Sequence, residues 1–170
     1  VKYPKVRAIR RPYRLASSNS PIEPTVHFVL SFLKENKEDR SEAVMLLYPT
    51  SPIRKYTHIE KAIDTMMIFN VESVISVCED LNVYYRHTNS GLTPLIGKRL
   101  LRLEREALYQ ENGAIYLSKR SAISRERFLS EPLGHVMMLP EESIKIDSEF
   151  NDWLAERVIK EWEKKEFYGN

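Results

Sequence analysis

The stretch that spans residues 49–54, Pro-Thr-Ser-Pro-Ile-Arg, combines two hydroxyl side chains and an arginine with two prolines. The prolines restrict the backbone, so the segment must be a stiff loop. Thr50 and Ser51 could hydrogen-bond a polyhydroxyl ligand, and Arg54 could bind a carboxylate or phosphate through two parallel hydrogen bonds. The alternative is a proline-rich turn that only leads into the next helix. The residues alone favour neither interpretation.

A second candidate is the stretch Glu111-Asn-Gly-Ala-Ile-Tyr116. Asn-Gly is typical of a tight turn with positive φ, so the simplest prediction is a turn that feeds a strand, as at the entry to a hairpin. In the functional interpretation, Gly113 lets a ligand approach the backbone and the amide of Asn112 binds it.

Asp147 is the candidate metal ligand. It follows a short apolar stretch and precedes Ser148 and Glu149, a pattern more typical of a helix N-cap. The alternative is a ligand for Mg²⁺, which uses few protein carboxylates and keeps several waters. The four histidines show no metal-binding spacing. Cys78 lies in an apolar run and is predicted to be a buried, inert thiol.

Composition narrows the classes of function. Twenty-six basic and 24 acidic residues leave a net charge of +2, a small basic excess for a protein that neutralises nucleic-acid phosphates. No segment approaches the ~20 apolar residues that span a bilayer, and no signal peptide is recognisable. We therefore expect a cytoplasmic protein that binds neither nucleic acid nor membrane. Five scattered glycines provide no Gly-rich phosphate loop.

Strand-like and helix-like segments alternate along the chain, which predicts an α/β domain. Apolar runs at 43–47 and 74–78 are typical of buried strands, and a helix from Thr57 to Phe69 should connect them by a right-handed crossover. The other predicted elements are an edge strand at 6–9, a helix from Pro21 to about residue 35 capped by Ser20, strands at 84–88, 114–117 and 135–139, a helix at 122–129 and a helix at 149–164.

Five motifs occur in an order and rough spacing that resemble one family. In chain order they are Arg-Pro-Tyr-Arg-Leu-Ala at 11–16, Leu-Leu-Tyr-Pro-Thr-Ser-Pro-Ile-Arg at 46–54, Ser-Val-Ile-Ser-Val at 73–77, Asn-Gly-Ala-Ile-Tyr at 112–116, and Ile-Asp-Ser-Glu at 146–149 followed by Ala-Glu at 155–156. The set resembles the acylneuraminate cytidylyltransferases, or CMP-sialic acid synthetases. The resemblance implies a Rossmann-like nucleotidyltransferase with a mainly parallel sheet, its core at 1–78 and 112–170 and a small inserted dimerisation element at 79–111.

The activity that the resemblance implies is transfer of CMP from CTP to a sialic-acid-type nine-carbon keto sugar, which releases pyrophosphate and uses Mg²⁺. A homodimer is implied as well. Arg11 is implied to face the nucleotide, Asp147 to bind Mg²⁺, and Arg102 to reach across the dimer into the partner's site. The residues implied to form the sugar side of the cleft are Tyr48, Thr50, Ser51, Arg54, Asn112, Gly113 and Tyr116.

The chain departs from the family pattern at positions that bear on the substrate. Tyr48 stands where the family usually has Gln, Lys145 where it has the first Asp of Asp-x-Asp, Leu103 where Gln follows the cross-subunit Arg, and Asn151 where a later Asp is usual. The family's N-terminal strand and phosphate loop have no counterpart in these 170 residues, so we expect this chain alone to be inactive. An enzyme for legionaminic or pseudaminic acid and a non-catalytic dimerising homologue are the alternatives.

Overall fold

A computed structural model describes residues 3, 6–17, 19–36, 41–95, 101 and 106–168, with side chains through Trp162. The chain forms both strands and helices, which confirms the α/β class. The strands are β1 (Ala43–Leu46), β2 (Ser73–Asp80), β3 (Tyr85–Thr88), β4 (Gly91–Pro94), β5 (Leu108–Lys119) and β6 (Leu133–Met137). The helices are α1 (Glu23–Glu35), α2 (Tyr56–Phe69) and α3 (Glu149–Tyr168), with single 3₁₀ turns at Tyr13–Leu15, Arg120–Ala122 and Pro140–Glu142.

The main sheet has the strand order β1-β5-β2-β6. β5 runs antiparallel to both β1 and β2, whereas β2 and β6 are parallel. β1 and β2, which are connected through α2, are parallel to each other but not adjacent, because β5 lies between them. The predicted mainly parallel sheet is not confirmed, because two of the three described pairings are antiparallel.

Two helices cover opposite faces of this sheet. Val74, Ile115 and Val136 pack under α2, which contributes Ala62 and Met66. Alternate strand residues point the other way, and there Val44, Leu46 and Tyr116 pack against Val26 and Leu30 of α1 and against Phe128 of the segment before β6. The sheet is therefore the middle of three layers, with residues of β2 and β5 fully buried. Among the helices that the structure describes, none combines the length and the hydrophobicity of a bilayer-spanning segment.

The register between β2 and β5 contains an irregularity where the sequence predicted a turn. Ile75 pairs with Tyr116 and Val77 with Glu111, so Ser76 alone faces residues 112–115. Gly113 has a φ of +74° at this point. The prediction of a tight turn at Asn-Gly is therefore wrong, since the dipeptide forms a bulge inside a 12-residue strand.

Two other predicted elements are wrong. Residues 6–9 form no strand, and 122–129 form no helix beyond the 3₁₀ turn that ends at Ala122. In the second segment the hydroxyl of Ser124 accepts a hydrogen bond from the Glu126 amide, and the amide of Ser130 donates to the hydroxyl of Ser73 in β2. Serine side chains thus take backbone partners that a helix would use.

The helix starts also differ from prediction. α1 begins at Glu23 with Pro24 in its first turn, and Ile22 rather than Ser20 precedes it. α2 begins at Tyr56, one residue before Thr57. The predicted strands 43–47 and 74–78, the ends of α1 and α2 and the start of α3 are confirmed within two residues. The region 79–111 contains the β3–β4 hairpin, but residues 96–100 and 102–105 of the implied dimerisation element lie outside the described residues.

Candidate functional site

The 49–54 loop and the bulge in β5 lie in contact, although about 60 residues separate them in sequence. The hydroxyl of Ser51 donates to the Asn112 carbonyl at 3.3 Å, and Nη1 of Arg54 donates to the Ala114 carbonyl at 2.8 Å. The same Nη1 reaches the carbonyls of Tyr48 and Ser51 at 3.4 and 3.5 Å. Arg54 therefore holds its own loop in shape and fastens it to the bulge.

Asn112 is the centre of a buried hydrogen-bond network. Its side chain is 5% exposed, and Oδ1 accepts from the hydroxyl of Ser76 at 2.6 Å and from the amide of Ala114 at 3.1 Å. Nδ2 donates to Oγ of Ser143 at 2.9 Å and lies 3.4 Å from the sulfur of Met138. These contacts give the amide of Asn112 a positioning role, because they fix the bulge against β2 and the segment after β6.

Gly113 is required by its backbone conformation. A Cβ at this position would lie 3.7 Å from Oγ of Ser51 and 3.8 Å from Oη of Tyr116, which is ordinary contact distance. The φ of +74° disfavours other residue types.

Two tyrosines stand side by side next to the bulge. The rings of Tyr48 and Tyr116 meet edge to face with centroids 5.6 Å apart, and the hydroxyl of Tyr116 donates to Oε1 of Glu111. Burial, the Glu111 hydrogen bond and the Glu111 charge raise the pKa of Tyr116. Burial and the charges of Glu23 and Glu111 raise the pKa of Tyr48. Both phenols therefore keep their protons at neutral pH.

The tyrosines form part of the wall of a cleft of about 360 Å³. Phe128 and Leu46 continue the apolar wall. Four charged side chains also line the cleft, and they come from three separate elements: Glu23 of α1, Glu111 of β5, and Glu126 and Arg127 of the loop before β6. The cleft lies where the chain leaves the carboxyl end of β1, the edge at which open α/β sheets commonly bind ligands. The sequence analysis assigned none of Glu23, Glu126 and Arg127 to a site, because only tertiary packing brings these residues together.

The segment of Asp147 is tied to the same loop. The amide of Ile146 donates to the carbonyl of Thr50 at 2.8 Å, while the side chains of Thr50 and Asp147 are exposed. Oδ1 of Asp147 accepts a hydrogen bond from the side-chain amide of Asn151 at 2.7 Å. The hydroxyl of Ser148 accepts from the backbone N–H of Asn151 at 3.2 Å, so Ser148 caps the start of α3.

A magnesium ion fits Asp147 only as a single-carboxylate ligand. Over the described ranges no three His, Cys, Asp or Glu side chains converge as metal ligands would. Mg²⁺ is often held by one or two carboxylates together with the phosphates of its substrate, and one exposed carboxylate satisfies the protein's share. Lys145, two residues away, is exposed as well.

Arg11, which is implied to face the nucleotide, is not joined to the loop or the bulge by the contacts described. It is exposed in the segment before the first 3₁₀ turn. Arg102 lies outside the described residues.

A largely buried ionic group is formed by Lys55, His58 and Glu142, and the sequence analysis did not predict it. Glu142 accepts hydrogen bonds from Nζ of Lys55 and the Leu139 amide, both at 2.9 Å, and lies 3.3 Å from Nε2 of His58. Nδ1 of His58 accepts from the Lys55 amide at 3.2 Å, so His58 caps the start of α2. The group fastens the start of α2 to the turn that precedes Ser143 and Asp147. A helix-start lysine and histidine with a distant glutamate carry no local sequence signal.

Titration of this group follows from its burial. Burial by itself raises the pKa of Glu142, but the Leu139 amide and the Lys55 ammonium stabilise its carboxylate more strongly. The pKa of Glu142 is therefore lowered overall. Burial lowers the pKa of His58 despite the nearby carboxylate. Nδ1 is an acceptor, so the neutral ring donates from Nε2 to Glu142.

The amino-acid sequence is similar to those of curated proteins that share one name. It is 28% identical over 160 residues to the N-acylneuraminate cytidylyltransferases of Streptococcus agalactiae serotype V (strain ATCC BAA-611 / 2603 V/R) and serotype III (strain NEM316). The match covers 86% of this chain and 38% of each relative, so the chain spans less than two-fifths of the length of the curated relatives it matches. No family model matches the chain.

Proposed function

We propose that this chain forms the sugar-binding part of a cytidylyltransferase that activates a sialic-acid-type nine-carbon keto sugar with CTP. The observation that carries the proposal is the hydrogen bond between Arg54 and the Ala114 carbonyl. It joins two of the five motifs that carry the resemblance, and it does so beside a cleft at the carboxyl end of β1. The similarity to named N-acylneuraminate cytidylyltransferases over 86% of the chain supports the same function.

In this proposal the residues of the cluster divide into two groups. Tyr48 and Tyr116 contact the sugar, and the exposed hydroxyl of Thr50 is free to meet a ligand hydroxyl at the rim. Ser51, Arg54, Asn112 and Gly113 position the backbone, because their polar atoms or their conformation serve the loop and the bulge.

The reaction requires the sugar hydroxyl to attack the α-phosphorus of CTP, which forms an O–P bond and breaks the bond to the departing pyrophosphate. The protein therefore has to hold the sugar still and bring the phosphates to it. Asp147 would hold Mg²⁺, which when bound neutralises phosphate charge. We assign Arg11 to the nucleotide and Arg102 to the partner's site in a cytoplasmic homodimer, and we expect this chain alone not to turn over.

The first test measures sugar binding directly, so that it does not depend on turnover. Saturation-transfer NMR with N-acetylneuraminic acid on the 170-residue chain should show contact between the sugar and the protein. Tyr116→Phe keeps the ring but removes the hydroxyl, and loss of one hydrogen bond should weaken binding roughly fivefold to tenfold. Tyr13→Phe, at a side chain that is 96% exposed, is the matched control.

The second test asks which sugar is preferred. Titrations with N-acetylneuraminic, legionaminic and pseudaminic acids should rank the three, and Tyr48→Gln should change the ranking if Tyr48 contacts the sugar. Pyrophosphate release from CTP in the presence of Mg²⁺, measured with the same sugars, should be absent for this chain alone. A chain that sediments as a dimer but binds none of them would contradict the proposal and favour the non-catalytic dimerising homologue.

A further inference from the structure

The outer edge of β6 has no partner strand within the described part of the chain. β6 is the last strand of the main sheet, and its inner edge pairs with β2. The carbonyl of Pro132 and the amide of Met138 both bond to the segment 72–77, so the even-numbered residues here direct their backbone groups inward. Because successive residues of a strand direct these groups to opposite edges, three residues present theirs to the outside. They are Leu133, His135 and Met137.

This edge lacks the features by which edge strands usually avoid pairing. The sequence of β6, Leu-Gly-His-Val-Met, contains no lysine, carboxylate or proline, and its register with β2 has no bulge. The side chains of Leu133 and Met137 are 45% and 42% exposed. In β1, at the other edge of the sheet, all four side chains are half-buried. The exposed apolar side chains therefore make the edge of β6 the more suitable one for another strand.

A groove of about 260 Å³ lies between β6 and α2, beside this edge. Two apolar side chains near the end of α2 line the groove, Ile68 and Phe69, which are 73% and 71% exposed. The groove also contains one cation and one anion, Lys61 and Asp64, which cancel in charge. A second copy of this surface is complementary to it, because each copy supplies one charge of each sign.

We propose that β6 pairs edge to edge with β6 of a second copy of this chain, antiparallel across a twofold axis at His135. In this register Leu133 lies opposite Met137 of the second copy, and the two His135 residues face each other. Each of these residues has outward backbone groups, so each facing pair exchanges two hydrogen bonds, about six in all. A shift of one residue would set inward-directed groups opposite outward-directed ones and lose these bonds.

The proposed contact is independent of the proposed function. It lies on β6 and α2, outside residues 79–111 of the implied dimerisation element, so it would be a second contact between copies. The apolar side chains Ile68 and Phe69 flank the paired strands and would be covered with them. A strand of five residues spans only about 16 Å, and tight complexes bury about 800 Å² on each partner. We therefore expect a dissociation constant in the micromolar range.

The test measures self-association of the 170-residue chain by sedimentation velocity between about 1 and 300 µM. Met137→Lys places a lysine opposite Leu133 at two symmetric positions and should weaken the association at least about tenfold. Leu133→Glu combined with Met137→Lys places a glutamate opposite a lysine at both positions, and it should recover most of the loss. Leu133→Lys combined with Met137→Lys is the matched control and should recover nothing.

Two further measurements identify the source of any change. Thermal unfolding of each variant establishes that it is folded before its sedimentation is interpreted. Leu92→Lys, at an exposed residue of the β3–β4 hairpin, reports on association through the implied dimerisation element and should leave the response to Met137→Lys unchanged.

Self-association that Met137→Lys weakens and the opposite-charge pair restores supports the inference. A chain that remains monomeric at about 300 µM overturns it. Association that Met137→Lys leaves unchanged also overturns it, including association that Leu92→Lys abolishes, since the contact would then lie on the hairpin. A loss that the opposite-charge pair restores no better than the two lysines do overturns it as well, because residues 133 and 137 would not face each other. Sugar binding is measured separately, and neither result for it changes these conclusions.

Discussion

Replacement of Asn112 by alanine should lower the free energy of unfolding by about 3 kcal/mol. The side chain makes three hydrogen bonds of 3.1 Å or less, with the hydroxyl of Ser76, the amide of Ala114 and the hydroxyl of Ser143. At about 1 kcal/mol net for each, their sum is about 3 kcal/mol. The contact with the Met138 sulfur is a weak hydrogen bond and adds little.

The size of this loss depends on whether the former partners of Asn112 can form other hydrogen bonds. The hydroxyl of Ser76 lies 3.4 Å from the Ile115 carbonyl and can turn toward it. The amide of Ala114 has no such alternative within a residue that is 0% exposed, and an unpaired buried N–H costs about 1–3 kcal/mol. The loss should therefore be a large fraction of the roughly 5–15 kcal/mol that stabilises an ordinary domain.

Urea unfolding followed by circular dichroism measures this loss as a shift of the midpoint at constant slope. Asn89→Ala, at an exposed turn residue, is the control and should change the free energy of unfolding by less than about 0.5 kcal/mol. A cycle with Ser76→Ala should show a coupling of about 1 kcal/mol, because the two side chains bond directly. A loss below about 1 kcal/mol for Asn112→Ala would refute the reasoning, since it would mean that the network does not hold the bulge.

Three further predictions concern the surroundings of the bulge. Gly113→Ala should cost about 1–2 kcal/mol through its backbone conformation alone, and Gly113→Asn should cost less because Asn tolerates positive φ; equal midpoints for both variants would contradict this. Arg54→Met should cost about 2 kcal/mol in urea unfolding, because the Ala114 carbonyl loses a charge-assisted hydrogen bond, and an unchanged midpoint would show that water replaces it. Acidification should destabilise the protein in two stages. The pKa of His58 is lower in the folded protein than its ordinary value of 6.5, so the stability that it contributes is complete above pH 6.5 and is lost as the pH falls through the folded-state pKa. The pKa of Glu142 is lowered from 4.5, so its contribution is complete above about pH 4.5 and is lost as the pH falls through its own folded-state pKa. His58→Gln keeps an acceptor for the helix start, so the first stage alone should vanish from its stability–pH profile, and a variant that retains it would assign that stage to another group.

The strands and helices that bury large apolar faces could be predicted from the sequence. The runs at 43–47 and 74–78 have the continuous apolar pattern of sheet strands, and both strands and the predicted helix α2 are present; β2 is largely buried, whereas β1 is half-buried. The segment at 122–129 lacks such a constraint. Its apolar Phe128 packs against α1 from an irregular segment as readily as from a helix, and nearby serines offer the backbone other partners.

The bulge could not be predicted, because the same two residues suit two structures. Asn-Gly requires only that glycine adopt positive φ, and both a hairpin turn and a bulge supply it. What decides is Ser76, on a strand more than 30 residues away, because its hydroxyl donates to Oδ1 of Asn112 and accepts from the Ile115 amide. The motif loop at 49–54 was recognised as a site candidate, whereas the part that Glu23 and Arg127 play in the cleft depends on tertiary packing alone.

The central position of β5 has a consequence for the synthesis of the protein on the ribosome. Each of β1 and β2 has its described antiparallel partner in β5, which begins 28 residues after the end of β2. The first half of the chain, with β1, α2 and β2 complete, therefore has no way to close this sheet and must wait for Leu108–Lys119 to emerge. During that interval the edges of two apolar strands are open to neighbouring nascent chains.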